Sequence, residues 1–450
     1  MNYKISVIGL ISMVIISIDS IRNLPATALF GSQIILLYLI GGLLFFVPAA
    51  FIAAEFTSMY PIAGGVYTWV SRAFGKKIGF LAIWLQWIEN VVWFPSIVAF
   101  IAATFAYIFN FHTSNYYYAI MIPVIFWGCT YVNIHGIQIT EKFSIFATFF
   151  GLIIPYIGLL MLACYWIYSG LPIANPIRFD HIMDFKHLNL SALSVIYLSL
   201  AGIEITAAHI ANVDNPKKTY PIAIIIATVF ILGSQILGSI ALAMMIPVDK
   251  INLIESVIAV FSVALDKVDM TFMMPLVAAL FLTSNLGTII NWVIAPIKSL
   301  EVAAIDGFLP SILVDDNPNK PVKLLILQAV IVTLLSCSFI LLDDVNQSYW
   351  LLTIIPAALY LFMYLLMFIS YVFLSLKTNF FSFSMKSKVM LTVSLIGIIG
   401  STLGLVSVFI PPSMIFQKIS LIHYTLVVFF AILVFMSPAF IMMVYKKNEC

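Results

Sequence analysis

The chain has 450 residues, 63% of them hydrophobic and only 9% Asp, Glu, Lys or Arg, against roughly 25% charged in ordinary soluble proteins. At about 20 apolar residues per crossing, an excess spread along the whole length makes room for on the order of a dozen transmembrane helices and excludes a separate soluble catalytic domain. The near balance of 21 basic and 19 acidic residues, without a long block of one sign, excludes a nucleic-acid surface. Four scattered cysteines, Cys129, Cys164, Cys337 and Cys450, form neither a CxxC pair nor a zinc-ligand spacing. No metal or cofactor is expected, and the partners are the lipid bilayer and a small molecule.

The first apolar run follows Lys4 without a small-residue cleavage site, so it reads as an uncleaved helix over 5–30. Further runs predict helices over 33–57, 78–109, 116–133, 143–169 and 190–211, then over 220–246, 272–303, 323–342, 349–376, 388–410 and 421–445. The runs are continuous, so a barrel of alternating strands is excluded. With the loops assigned alternately, fifteen of the 21 basic residues fall on the side of the N-terminus and five on the other, while Arg22 lies within helix 1. Both termini are therefore placed on the cytoplasmic side. No Pro/Gly/Ser linker divides the succession, and 1–450 reads as one membrane domain.

Two runs are interrupted. In helix 1, Ile18-Asp19-Ser20-Ile21-Arg22-Asn23-Leu24-Pro25 places polar and charged groups before a proline that removes a helical hydrogen bond. In helix 6, Ser199-Leu200-Ala201-Gly202-Ile203-Glu204 sets a flexible glycine beside a carboxylate. Unwound backbone at membrane depth is tolerated where it lines a cavity, and half-helix ends attract a carboxylate at one end and an ammonium group at the other. A zwitterionic amino acid meets both demands, whereas Pro25 alone would be consistent with an ordinary kink.

Charges within apolar spans pair with one another or serve a pathway. Asp19 and Arg22, three apart, could form a local pair, or Arg22 could receive a substrate carboxylate. Glu204 could neutralise Arg22, bind a substrate ammonium, or carry a coupling proton. We expect the paired arrangement for Arg22, which leaves a cavity for neutral or amide side chains; an unpaired Arg22 favours a substrate with an additional carboxylate. Glu55 and Glu89 read as partners of polar neighbours such as Ser58 and Asn90, and His209 as a packing residue or a proton relay. Tyr360 and Tyr364, spaced i, i+4, put two hydroxyls on one face of helix 10, suited either to packing or to lining a cavity.

The ordered motifs resemble the amino acid, polyamine and organocation transporters, and within them the bacterial glutamate/GABA antiporter-like permeases. The resemblance rests on Arg22-Asn23-Leu24-Pro25, Gly41-Gly42, Ala53-Ala54-Glu55 and Gly64 to Ser71. It continues through Gly202-Ile203-Glu204, His209, Asn215-Pro216, Tyr220-Pro221, Met245-Ile246-Pro247, Ile251-Asn252-Leu253, Trp292 to Pro296 and Pro411-Pro412. It implies an all-α polytopic fold with a 5+5 inverted-repeat core. The first repeat would occupy 1–170 and the second 190–377, with two further helices over 388–445. It also implies substrate binding at the helix 1 break, Ile18, Asp19, Ser20, Ile21 and Arg22, and at the helix 6 break, Ala201, Gly202, Ile203 and Glu204. Of the positions linked to transport in that antiporter, the tyrosine of helix 1 becomes Arg22, the glutamate of helix 8 becomes Thr288, and the tyrosine of helix 10 is kept as Tyr364; Tyr360 joins the set.

These departures argue against assuming glutamate/GABA exchange, and the short end at Lys446-Lys447-Asn448-Glu449-Cys450 is too brief for a C-terminal plug. Thr283 and Ser284 offer hydroxyls for a sodium site or simply bond back to the preceding turn. The expected protein is not an enzyme. It is a secondary active amino acid transporter of a bacterial inner membrane, an antiporter working by alternating access, with a proton-coupled symporter as the alternative.

Overall fold

The computed structural model describes residues 5–60, 64–135, 140–178, 182, 188–207, 213, 215–315, 321–342, 344–377, 385–412, 415–416 and 419–446. Its regular elements are helices, and one isolated bridge joins Ile5 to Val213. Eleven helices among the described residues are long and apolar enough to cross a membrane. They are α1 (Val7–Ala28), α2 (Gly31–Met59), α3 (Lys76–Phe109), α4 (Asn115–His135) and α5 (Lys142–Tyr168). After the shorter apolar α6 (Ser191–Ala207) come α7 (Lys218–Met245), α8 (Thr271–Ile305), α9 (Val322–Leu341), α10 (Val345–Lys377), α11 (Lys388–Val408) and α12 (Leu421–Tyr445). α6 lies inside the run expected over 190–211 but is interrupted, and part of that run, with His209, lies outside the described residues. The fold is that of an all-α polytopic membrane protein.

Burial sorts the helices into layers. α3 is the most enclosed, with 83% of its most apolar window buried, and packs against α8 and α10. α12 has only 17% of its window buried and exposes Ile422, Phe430 and Val434, a face stable only against hydrocarbon. α11 comes close to α2 at Gly400, where a Cβ would collide with the Leu44 carbonyl; small residues admit such backbone approach between helices in lipid. Leu44 belongs to a π-helical turn, Gly42–Phe46, and a second such turn, Ala147–Ile153, interrupts α5. There Gly151 lies against the Ser284 backbone of α8, where a Cβ would be 2.5 Å from the amide nitrogen.

The two breaks have clear local causes. α1 starts at Ser6, whose hydroxyl accepts the Gly9 N–H at 2.9 Å, and its first half, Val7–Ile18, stops at Asp19 in extended conformation. A 3₁₀ turn, Ile21–Asn23, leads into Leu24–Ala28, with Pro25 in the first turn where its missing N–H costs nothing. In α6, the segment Ser191–Leu200 ends on extended Ala201, and Gly202 has φ +112°. That conformation suits glycine alone, and a Cβ would lie 2.6 Å from the Trp292 ring.

At one end of the bundle, the short helix Gly65–Phe74 is tied to the end of α8. Asp306 accepts the Tyr67 hydroxyl and the Lys76 ammonium, the latter at 2.5 Å, while its main-chain carbonyl accepts Lys446. Lys446 also sits 3.6 Å from the centre of the Phe308 ring, a cation–π contact. Burial pushes the Asp306 carboxyl up, but the hydrogen bonds from Lys76 and Tyr67 and the Lys76 and Lys446 charges outweigh it and hold the group below its ordinary value.

Candidate substrate cavity between the broken helices

The breaks of α1 and α6 face each other across a small cavity of about 30 Å³. Of the residues expected from the sequence, Ile18, Arg22, Ala201 and Tyr360 line it, joined by Ser17, Glu89, Trp93, Ser199, Trp292 and Tyr349 among others. Asp19, Ser20, Ile21, Gly202, Ile203, Glu204, Thr288 and Tyr364 are not part of the lining. Thr288 instead donates to the Ile16 carbonyl at 2.9 Å, capping the first half of α1. Thr283 bonds back to Ala279 at 2.8 Å, the local alternative expected of a helical threonine.

Arg22 is 3% exposed and points one nitrogen at the Tyr349 hydroxyl, 3.1 Å away, with its guanidinium carbon 4.7 Å from the centre of the Trp93 ring. It forms no ion pair with an acid within 4.0 Å among the described residues, and its buried Nε has no hydrogen-bond partner. The expected pairing with Asp19 or Glu204 is therefore corrected. The reason is direction: the 3₁₀ turn sends Arg22 toward α3 and α10, whereas Asp19, on extended backbone, points the other way toward α5 and α7.

Glu204 is likewise held without Arg22. Its Oε1 accepts Gln86 of α3 at 2.7 Å and Tyr360 at 2.5 Å, and its Oε2 accepts Tyr364. The i, i+4 tyrosine pair thus converges on one carboxylate behind the cavity wall. Tyr364 also accepts the Gly202 N–H at 2.8 Å, satisfying an amide freed by the α6 break.

Glu89 is 2% exposed, accepts the Asn90 side chain at 2.7 Å, and lines the same cavity as Arg22. Asn90 leaves its own Oδ1 unpartnered. The cavity therefore presents a guanidinium and a carboxyl group as separate groups, with unsatisfied polar atoms between aromatic walls. Trp93 and Trp292 lie 5.8 Å apart, Trp292 meets Tyr360 edge-on at 6.2 Å, and the Trp292 indole donates to the Ser17 carbonyl at 2.6 Å. Sequence reasoning assigned Glu89 a local role and overlooked Trp93, Trp292 and Tyr349. A signal was available in α3, where Gln86, Glu89, Asn90 and Trp93 recur at helical spacing and form one polar face on an apolar span.

A cavity at two broken helices, lined by a guanidinium and a carboxyl group that are not bridged to each other, is the arrangement expected of a membrane transporter of small molecules. The family model described as amino acid permease matches residues 5–434. The chain is 35% identical over 426 residues to an uncharacterised transporter of Legionella pneumophila, spanning 92% of both chains. It is 30% identical to a glutamate/gamma-aminobutyrate antiporter of Lactococcus lactis, over 82% of this chain and 75% of the relative, and 26% identical to a probable agmatine/putrescine antiporter of the same species, over 59% and 57%. The chain belongs to the amino acid permease family. It is a membrane transporter and not an enzyme.

Proposed function

We propose that the chain is a secondary active transporter of amino acids in a bacterial inner membrane, exchanging one substrate for another by alternating access around α1, α3, α6 and α10. The observation that carries this reading is the guanidinium of Arg22 and the carboxyl of Glu89, not bridged to each other, lining one cavity. The substrate carboxylate goes to Arg22, whose planar donor fork suits that group, and the substrate ammonium goes to Glu89. A dication such as agmatine or putrescine, the pair named for one relative, has no group for Arg22 and would meet its charge. An amino acid is therefore favoured over a polyamine. Arg22 is the one Lys or Arg among the lining residues, so once it holds the amino acid's own carboxylate the lining keeps no second cation for a further one, and an acidic side chain is not favoured over a neutral or amide one.

Exchange is supported by two relatives named as antiporters, and cytoplasmic termini by the fifteen-to-five bias of basic residues. The inverted repeat over 1–170 and 190–377 is supported by the placement of the two breaks, one near the start of each half. A cavity of about 30 Å³ has room for about one or two waters, so loading requires the aromatic walls to part.

The test is uptake of a panel of labelled amino acids and polyamines into proteoliposomes, preloaded or empty, with and without a proton gradient. Uptake restricted to preloaded vesicles supports exchange. Gradient-driven uptake into empty vesicles would replace exchange with proton symport, and polyamine uptake without amino acid uptake would overturn the substrate assignment.

A further inference from the structure

Asp19 occupies a second polar site, apart from the substrate cavity. It is fully buried at the point where α1 unwinds. Its Oδ1 accepts Tyr156 of α5 at 3.0 Å and the side-chain amide of Gln235 of α7 at 2.6 Å, and its Oδ2 accepts Ser234 of α7. Among the described residues no cation lies within 4.0 Å of it. An unpaired carboxylate at this depth costs several kcal/mol unless it is neutralised or its lone pairs are satisfied.

The cluster is built to accept either form of the acid. Ser234 has a second acceptor, the Ile231 carbonyl at 3.0 Å. When Asp19 is ionised, Ser234 donates to Oδ2. When a proton is bound on Oδ2, that O–H can donate to Ser234 Oγ, and Ser234 rotates its own hydrogen to Ile231. Oδ1 keeps Tyr156 and Gln235 in both forms, so neither form leaves a buried donor or acceptor of the carboxyl unmatched.

We propose that Asp19, held by Tyr156, Ser234 and Gln235, is a proton-binding site whose occupancy is coupled to transport. The titratable groups that face it are phenols: Tyr156 from α5, and Tyr38 from α2, which donates to Gln235 Oε1 at 3.0 Å. α7 contributes the uncharged Ser234 and Gln235, and Arg22 of α1 is directed at Tyr349. A metal ion is the poorer occupant, because the lone pairs it would need already receive donors.

The link to the cavity is physical. Gln235, which holds Asp19, also donates to the Ser20 carbonyl at 3.3 Å, so the cluster ties the unwound backbone that leads to cavity-lining Arg22 onto α7. Asp19 is three residues from Arg22 across the unwound turn. Gain or loss of the proton alters the tie between the unwound turn of α1 and the pair α5 and α7. This reading rests on the transporter assignment for its coupling to uptake, but the protonation itself does not.

The test has two readouts. Infrared difference spectra of the purified protein between acid and alkaline buffer are expected to contain a carbonyl band from a protonated carboxylic acid that Asp19→Asn lacks and Asp306→Asn keeps. Counterflow in proteoliposomes is expected to vary with pH in the unaltered protein and to be flat in Asp19→Asn, which mimics the protonated acid. An unchanged band in Asp19→Asn overturns the site, and a normal pH profile in that variant overturns the coupling. If the band behaves as stated and no amino acid moves, the transporter assignment fails and the proton site stands. Ser234→Ala removes the rotor and leaves the acid; its band midpoint is expected to be displaced by about one pH unit, tenfold in proton affinity and comparable to one hydrogen bond to a charged group. An unmoved midpoint counts against the site even where Asp19→Asn cannot be purified. A response to sodium at constant pH, lost in Asp19→Asn, would replace the proton with a metal ion.

Discussion

Tyr364 accepts the main-chain N–H of Gly202 at 2.8 Å and donates its own hydrogen to Glu204, so one phenol closes both the amide and the carboxylate left open where α6 unwinds. Tyr364→Phe leaves the Gly202 amide without that partner and Glu204 with two donors instead of three. The expected cost is about 1–3 kcal/mol of stability, read by thermal unfolding in detergent. Tyr360→Phe leaves the Gly202 amide paired and is expected to cost less. Equal losses in the two variants would show that the amide contributes nothing.

Gly202 itself admits no side chain. Gly202→Ala would force an L-residue to φ +112° and set its Cβ 2.6 Å from the Trp292 ring, combining backbone strain with a collision. The variant is expected to reach the membrane in reduced amount and to transport nothing. Trp292→Phe in the same chain should restore part of the yield, because it removes the clash but not the strain.

Arg22 and Glu89 should fail in different ways toward different ligands. Arg22→Gln is expected to weaken amino acid binding about 10- to 100-fold, the worth of roughly one charge-assisted hydrogen bond. Arg22→Lys should rescue poorly, since a point charge replaces a planar fork stacked on Trp93. Glu89→Gln should weaken binding of the amino acid but not of its deaminated carboxylate analogue. Competition binding with both ligand types separates the two roles.

The Asp306 cluster gives a pH dependence with a definite sign. Its carboxyl is held below the ordinary aspartate value, so the ionised form is favoured by folding. The stabilisation is fully present above about pH 4 and is lost as pH falls below it through the folded value. Because Lys76 is 63% exposed, the Lys76 pair itself contributes little, about 1 kcal/mol or less. Asp306→Asn is expected to lower stability slightly at pH 7 and to flatten the decline below about pH 4. A decline as steep as that of the unaltered protein would place the acid sensitivity elsewhere.

Much of this architecture was legible in the residues because local rules decide it. Continuous apolar runs located the helices, Pro25 and Gly202 located the breaks, and the i, i+4 spacing placed Tyr360 and Tyr364 on one face. The partners of the buried charges were not legible. Asp19 and Arg22 are three residues apart, which on a helix predicts one face, but the chain is extended at Asp19 and in a 3₁₀ turn at Arg22, so their side chains diverge. The actual partners, Gln235 for Asp19 and Tyr349 for Arg22, lie 216 and 327 residues away in sequence, distances at which periodicity carries no information. The acceptor of Thr288, the Ile16 carbonyl of a neighbouring helix, was not legible for the same reason.

The indoles of Trp93 and Trp292 form two walls of the cavity, while the chain has eight tryptophans in all. Intrinsic fluorescence therefore carries a built-in report of occupancy, and no dye or label is needed to read it. Because Arg22 rests on the face of Trp93, a ligand that draws the guanidinium away should change the emission of that ring directly. Titrating unlabelled compounds against this signal, with Trp93→Phe as the blank, would rank candidate substrates before any vesicle is made.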